Sequence, residues 1–233
     1  MAMNLFTSIA TALRGGCDSR HALNDNEQST KVPLITLSII VSVLSIGLLG
    51  YFYPVLSWLC FDYALIAEQQ QFWRLITAHF VHSSTEHLFW DLLTFTAAGA
   101  YLEKRNQKLF IYGLLASLVT LSIFLLSPLT DIARYSGLSG ILYTVICLAA
   151  WQWLREEKGF IAWLPLIAIA VKTVTEIFMQ DTVFVTEGWA VFSEAHLVGA
   201  GTALFVGFYQ AVRSADLKLF SSLSKAKSAI KKP

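Results

Sequence analysis

The chain has 233 residues, 55% hydrophobic and 14% charged, with a mean hydropathy of +0.57. Soluble domains carry about a quarter charged residues, so an ordinary soluble domain is excluded, and so much apolar surface excludes a disordered chain. The balance of 17 basic against 16 acidic residues provides no general field for nucleic acid, which is not expected as a partner.

Crossing roughly 30 Å of hydrocarbon takes about 20 mostly apolar helical residues. Six runs meet that need in chain order. Leu34 to Tyr53 is free of charge and bracketed by Pro33 and Pro54. The second runs from near His87 to about Leu102 and ends at Glu103-Lys104-Arg105; the third, Leu109 to Ser127, stops before Pro128. The fourth runs from Gly137 to Leu154 and ends at Arg155-Glu156-Glu157-Lys158. Phe160 to Phe178 and Ser193 to Val212 complete the set. The predicted fold is all-α, a polytopic bundle of six transmembrane helices. It is divided into a polar N-terminal segment (1–32), a membrane domain (33–212) and a basic C-terminal tail (213–233).

Basic residues orient the bundle. With six spans both termini share a side, and that side holds Arg14, Arg20, Lys31, Lys104, Arg105, Lys108, Arg155, Lys158, Arg213, Lys218, Lys225, Lys227, Lys231 and Lys232. These are 14 of the 17 basic residues, so both termini are expected to be cytoplasmic. Arg14 and Arg20 follow the mildly apolar Met1 to Ala12 rather than precede it, unlike a cleaved signal peptide. The tail from Ala215 to Lys232 reads either as a short helix on the inner leaflet or as a solvated segment. The loop from Pro54 to Thr85 carries Trp58, Phe61, Tyr63, Phe72 and Trp73, and is expected to lie partly in the outer interface. Cys17, Cys60 and Cys147 fall in a tail, a loop and a span and suggest no disulfide framework.

Ionisable groups near or inside spans are costly, which makes them functional candidates. Three groups stand out: His79, His82, His87 and Asp91 around the start of the second span; Ser136-Gly137-Leu138-Ser139-Gly140 opening the fourth; and Glu194-Ala195-His196-Leu197-Val198-Gly199 opening the sixth. The topology puts all three at the non-cytoplasmic ends of their helices. A serine beside a histidine in a water-poor pocket is the minimum for nucleophilic acyl transfer. His196 leads a row of small residues, Gly199, Ala203 and Gly207, that admits close helix packing, and Gly137 and Gly140 offer a matching surface. Tyr143, four residues after Ser139, is one turn deeper on the same face, where its ring would support an imidazole. Alone, Gly-x-Ser-Gly is a packing motif and a membrane histidine serves a facing carbonyl. Together at one end of the bundle, they point to chemistry.

The motifs Gly137-Leu138-Ser139-Gly140 with Tyr143, Ala195-His196-Leu197-Val198-Gly199, and Trp73-Arg74 followed by His82, His87, Asp91 and Glu103-Lys104-Arg105 resemble those of rhomboid intramembrane serine proteases. The resemblance covers roughly Trp73 to Gly207. Within the family, Trp90-Asp91 and the Lys172/Glu176 pair look most like rhombosortase. The resemblance implies Ser139 as nucleophile and His196 as general base, a dyad without a third acidic member. It also implies His87 and the backbone around Leu138 as oxyanion donors, His82 as a second family histidine, and Gly137 as site support. It implies cleavage of membrane-anchored proteins with a transmembrane segment, in a bacterial inner membrane, with the active site toward the periplasm. The rhombosortase likeness implies substrates with a C-terminal Gly-Gly sorting tail.

Asp91 stands where many rhomboids carry an asparagine. Either burial keeps it protonated as a donor, or it accepts from His87; the second satisfies both groups and is favoured. Lys172 and Glu176, four apart, pair on one helix face, either to neutralise each other or to contact substrate. His79 falls outside the family pattern and reads as an interface residue. No cofactor or metal is expected, because the histidine spacing is not a helical ligand pair. The rivals are a rhomboid-like protein that binds clients without cutting them, and a proton-coupled transporter, which would spread its polar residues across the midplane.

Overall fold

The computed structural model describes residues 32–179 and 192–230, with side chains described as far as 178 and 213. The expectations for residues 1–31, including Arg14, Arg20, Lys31 and Cys17, and for Lys231 and Lys232, lie outside the described residues. From Pro33 onward the described residues form one compact unit.

Helix α1 spans Leu34–Leu49 and starts after Pro33, whose side chain cannot cap it. The cap comes from another helix instead. The buried Glu103 carboxylate accepts from the backbone N–H groups of Ile35 (2.9 Å) and Thr36 (2.8 Å) and from the Thr36 hydroxyl (2.8 Å). A negative charge at a helix N-terminus satisfies orphan donors and opposes the helix dipole. Glu103 thus does more than end a span.

The following loop is built rather than open. Short helices α2 (Val55–Leu59), α3 (Tyr63–Gln69) and α4 (Arg74–Thr77) and a 3₁₀ turn, Ala78–Phe80, run from α1 to α5. Buried Arg74 fixes it, donating to the carbonyls of Ser57 (3.0 Å) and Cys60 (2.8 Å) and to the Gln71 amide oxygen (2.8 Å). Strand β1 (Phe61–Asp62) pairs antiparallel with β2 (Arg134–Tyr135), which ties this loop to the segment that enters the serine helix. Trp58, Tyr63, Phe72 and Trp73 are exposed, but Phe61 is fully buried in the core, so the interfacial reading of the loop aromatics does not extend to it.

Helix α5 covers Thr85–Leu125, where the sequence predicts two spans. A straight helix of 41 residues would be about 60 Å long, twice the hydrocarbon thickness. It does not stay straight. Asn106 leaves helical geometry (φ −152°, ψ 74°), and its side chain accepts from the Leu109 N–H at 3.1 Å, capping the second leg. Phe95 and Phe110 have ring centroids 6.3 Å apart, which only a fold-back permits, so the predicted pair of spans is an antiparallel hairpin.

Helix α6 (Ser139–Glu156) is the central element, with α5, α7 and α8 all packed on it. The fifth predicted span is a 3₁₀ turn (Phe160–Trp163) leading into α7 (Leu164–Met179). Helix α8 (Ser193–Ile230) continues well past the predicted end at Val212, so the start of the basic tail is helical in its backbone. The core joins Phe95, Leu102, Leu109 and Phe110 of α5 to Leu142, Val145 and Leu148 of α6 and to Ala203 and Val206 of α8. Outward, Val119, Ile123, Val171, Val174, Leu204, Phe205 and Phe208 are more than half exposed. In water that surface would associate; in a bilayer it is the solvated face. The chain is an all-α polytopic membrane bundle.

Candidate active site

Ser84 caps α5 by accepting from the His87 N–H at 3.1 Å, which sets the helix phase so that His87 and Asp91 share a face one turn apart. Asp91 Oδ2 lies 3.4 Å from His87 Nε2 and 3.1 Å from His82 Nε2. Both histidines therefore meet one buried carboxylate, where the sequence reading paired it with His87 alone. The three donor atoms lie within 4.8 Å of one another, a spacing a metal ion would tolerate; hydrogen bonds from two imidazoles account for the same short contacts.

His82 Nε2 is also 3.4 Å from the Leu138 backbone nitrogen. One ring nitrogen cannot both donate to Asp91 and accept from Leu138. Donation to the carboxylate, the shorter contact, leaves the Leu138 N–H for another acceptor. Helix α6 begins at Ser139, and its N-cap residue, Leu138, gives no side-chain hydrogen bond, so none of the first turn's N–H groups is satisfied from the cap.

Gly137 is not part of the packing surface of α6. It precedes the helix with φ +122°, a region that side chains rarely adopt, and a Cβ there would lie 2.6 Å from His87 Cε1. Only glycine lets the strand entering Ser139 pass the His87 ring. Tyr135, unremarked in the sequence, holds this turn by donating to the Gly137 carbonyl at 3.1 Å. Burial pushes the Tyr135 phenol upward, against hydrogen bonds from the Gly140 backbone and the Ser139 side chain. His79, expected at an interface, is fully buried beneath Tyr135, with ring centroids 5.6 Å apart. That burial depresses its titration.

Helix α8 meets α6 backbone to backbone. A Cβ at Gly199 would stand 2.3 Å from the Gly140 carbonyl oxygen, and the Thr144 hydroxyl donates to the Gly199 carbonyl at 2.9 Å. Gly140 follows Ser139 directly and Gly199 is one turn after His196, so this crossing sets both residues on one cavity. Ala203 and Gly207 continue the contact, the latter against Leu148 and Trp151.

The His196 ring stacks on Tyr143, with centroids 4.2 Å apart and planes 10° from parallel. Its Nδ1 lies 3.1 Å from Glu176 Oε2, leaving Nε2 as the nitrogen open to a reacting group. Among the described residues no hydrogen bond joins Ser139 to His196; such bonds often tighten only when substrate is bound. Glu176 also accepts from the Tyr143 hydroxyl at 3.0 Å and pairs with Lys172. A cavity of about 720 Å³ brings together Ser139, His196, His87, Asp91, Tyr143, Lys172 and Glu176.

A profile of the Rhomboid domain matches residues 69–213, more than half of the chain. The chain belongs to the rhomboid family. It is similar to the Rhomboid protease GlpG of Klebsiella pneumoniae subsp. pneumoniae, 29% identical over 163 residues, covering 66% of this chain and 54% of that protein. The Rhomboid protease GlpG of Yersinia pestis is 26% identical over 193 residues, covering 78% of this chain and 64% of its own length. This rhomboid thus spans less than two thirds of either relative. The sequence motifs pointed to Ser139, His196, His82 and His87. They did not point to Tyr135 or to the Glu103 cap, because a buried phenol and a cross-helix cap have no sequence period of their own.

Proposed function

We propose that this rhomboid is an intramembrane serine endopeptidase that hydrolyses a peptide bond in membrane-anchored proteins carrying a transmembrane segment. The reading is carried by the Gly199–Gly140 crossing, which seats Ser139 and His196 from separate helices on one cavity. The Ser139 oxygen attacks the carbonyl carbon while His196 Nε2 takes its proton, then returns it to the leaving amine. A second cycle, with water in place of serine, releases the acyl half. His87 and the N–H groups of Leu138 and Ser139 receive the charge developing on the carbonyl oxygen. His82 keeps Leu138 available by donating to Asp91. No cofactor enters the reaction.

The protein lies in a bacterial inner membrane with both termini cytoplasmic, and cuts near the periplasmic face. The placement of basic residues supports this orientation. Its substrates are of the rhombosortase type, with a C-terminal Gly-Gly motif, a spanning helix and a basic end; a panel of such tails against purified protein tests the class. Asp91 in the oxyanion region favours one rival, a client-binding protein that does not cut. Labelling by a fluorophosphonate probe decides. Labelling lost in Ser139→Ala and His196→Ala supports the protease, and no labelling of correctly folded protein supports the binder.

A further inference from the structure

The sequence resemblance implies a dyad, yet the His196 nitrogen remote from the serine is occupied. Glu176 Oε2 lies 3.1 Å from His196 Nδ1, and the carboxylate is 1% exposed. We propose that Glu176 is a positioning residue of the catalytic set, acting through His196 and converting the dyad into a serine–histidine–glutamate triad. The inference rests on the serine-protease reading above.

Mutual neutralisation with Lys172 does not account for this geometry. Neutralisation engages one carboxylate oxygen, and Lys172 takes Oε1. The other oxygen, Oε2, serves the two groups that frame the base: His196 Nδ1 and the Tyr143 hydroxyl, at 3.1 and 3.0 Å. Tyr143 is itself fixed by Lys172 Nζ (3.3 Å) and the Thr173 hydroxyl (3.4 Å). Stacking on Tyr143 sets the plane of the imidazole but leaves its rotation within that plane free. A carboxylate at Nδ1 removes that freedom. It also selects the tautomer, because an ionised carboxylate only accepts, so Nδ1 must carry hydrogen and Nε2 must offer the lone pair. When Nε2 takes the serine proton, the resulting imidazolium meets the charge of the buried Glu176 carboxylate.

Of the groups facing His196, Glu176 is presented by α7, Tyr143 and Ser139 by α6, and His87 and Asp91 lie across the cavity on α5. Among the described residues, Glu176 is the one that holds Nδ1. Helix α7 buries a smaller share of its apolar surface within the protein than α5 or α8. The tautomer of the base therefore depends on the docking of the least buried of these three helices.

The test uses the full chain in detergent or proteoliposomes and a fluorophosphonate probe, measuring the saturating labelling rate and the half-saturating concentration separately. Glu176→Gln keeps the shape and removes the charge; it should slow saturating labelling roughly 100-fold and leave half-saturation unchanged. Glu176→Asp should recover part of the loss. Exchange of charges, Lys172→Glu with Glu176→Lys, should abolish labelling, whereas simple neutralisation would preserve it. Nitrogen-15 shifts of His196 in the unmutated chain read the tautomer without any substitution at Glu176. Hydrogen on Nδ1 with a low-field proton supports the triad, and hydrogen on Nε2 overturns it even if Glu176→Gln does not fold. Equal labelling of wild type and Glu176→Gln overturns this inference alone. No labelling of folded wild type overturns the protease reading as well.

Discussion

Two carboxylates flank the cavity, and they are held in different ways. Asp91 meets His87, one turn before it on the same helix, and His82 in the short segment just ahead of that helix. The whole cluster lies within ten residues, so a capped helix start is nearly sufficient to build it. Glu176 meets Lys172 on its own helix but Tyr143 and His196 on two others. That cluster exists only while three helices are docked. In the proposed mechanism the local cluster adjoins the oxyanion position, and the long-range one stands behind the base. On that proposal, the histidine part of the oxyanion site is built locally, and the setting of the tautomer depends on packing.

Among single substitutions that spare Ser139 and His196, the largest effect should come from the local side. On the proposed mechanism, removal of the His87 ring takes away an oxyanion donor, and it also empties the space beside Gly137. His87→Ala should lower the saturating labelling rate by about 10² to 10³ while the protein stays folded by thermal unfolding in detergent. Retention of the full rate would show that the local cluster is structural. A smaller loss is expected for Asp91→Asn, which preserves shape and replaces two charge-assisted hydrogen bonds with neutral ones. The difference is about 1 to 1.5 kcal/mol, or roughly tenfold in rate. Unchanged cleavage across pH would remove the Asp91 charge from the mechanism. The smallest effect falls on the packed side. Tyr143→Phe keeps the stacked ring and loses only the hydroxyl given to Glu176, so labelling should slow about threefold to tenfold. A much larger loss would mean that the hydroxyl, not the ring, orients His196.

Much of this arrangement was legible along the chain. Apolar runs between prolines and charge clusters located the spans, because hydrocarbon penalises every polar group it meets. The small residues Gly199, Ala203 and Gly207 marked the face of α8, since only residues without bulk allow backbones to touch. Legibility ended where a side chain reached across helices. Gly137 reads as one more small residue of the motif; its φ of +122° and its contact with His87 appear only when strand, turn and α5 come together. Glu103 reads as the charged end of a span, yet its partners, Ile35 and Thr36, stand more than sixty residues earlier. Lys172 and Glu176 announce themselves as a pair four residues apart, and nothing in that spacing points to His196.

Composition and the spacing of apolar and polar residues were thus enough to determine a membrane bundle and the approximate limits of its helices, and to single out Ser139 and His196 as candidates. Each of these follows from a free-energy cost that a residue meets wherever its neighbours in space happen to be. Which carboxylate serves which histidine is not of that kind. It depends on a backbone crossing at Gly140 and Gly199 and on the docking of α7. Directional hydrogen bonds over about 3 Å are decided by tertiary packing and leave no period in the sequence.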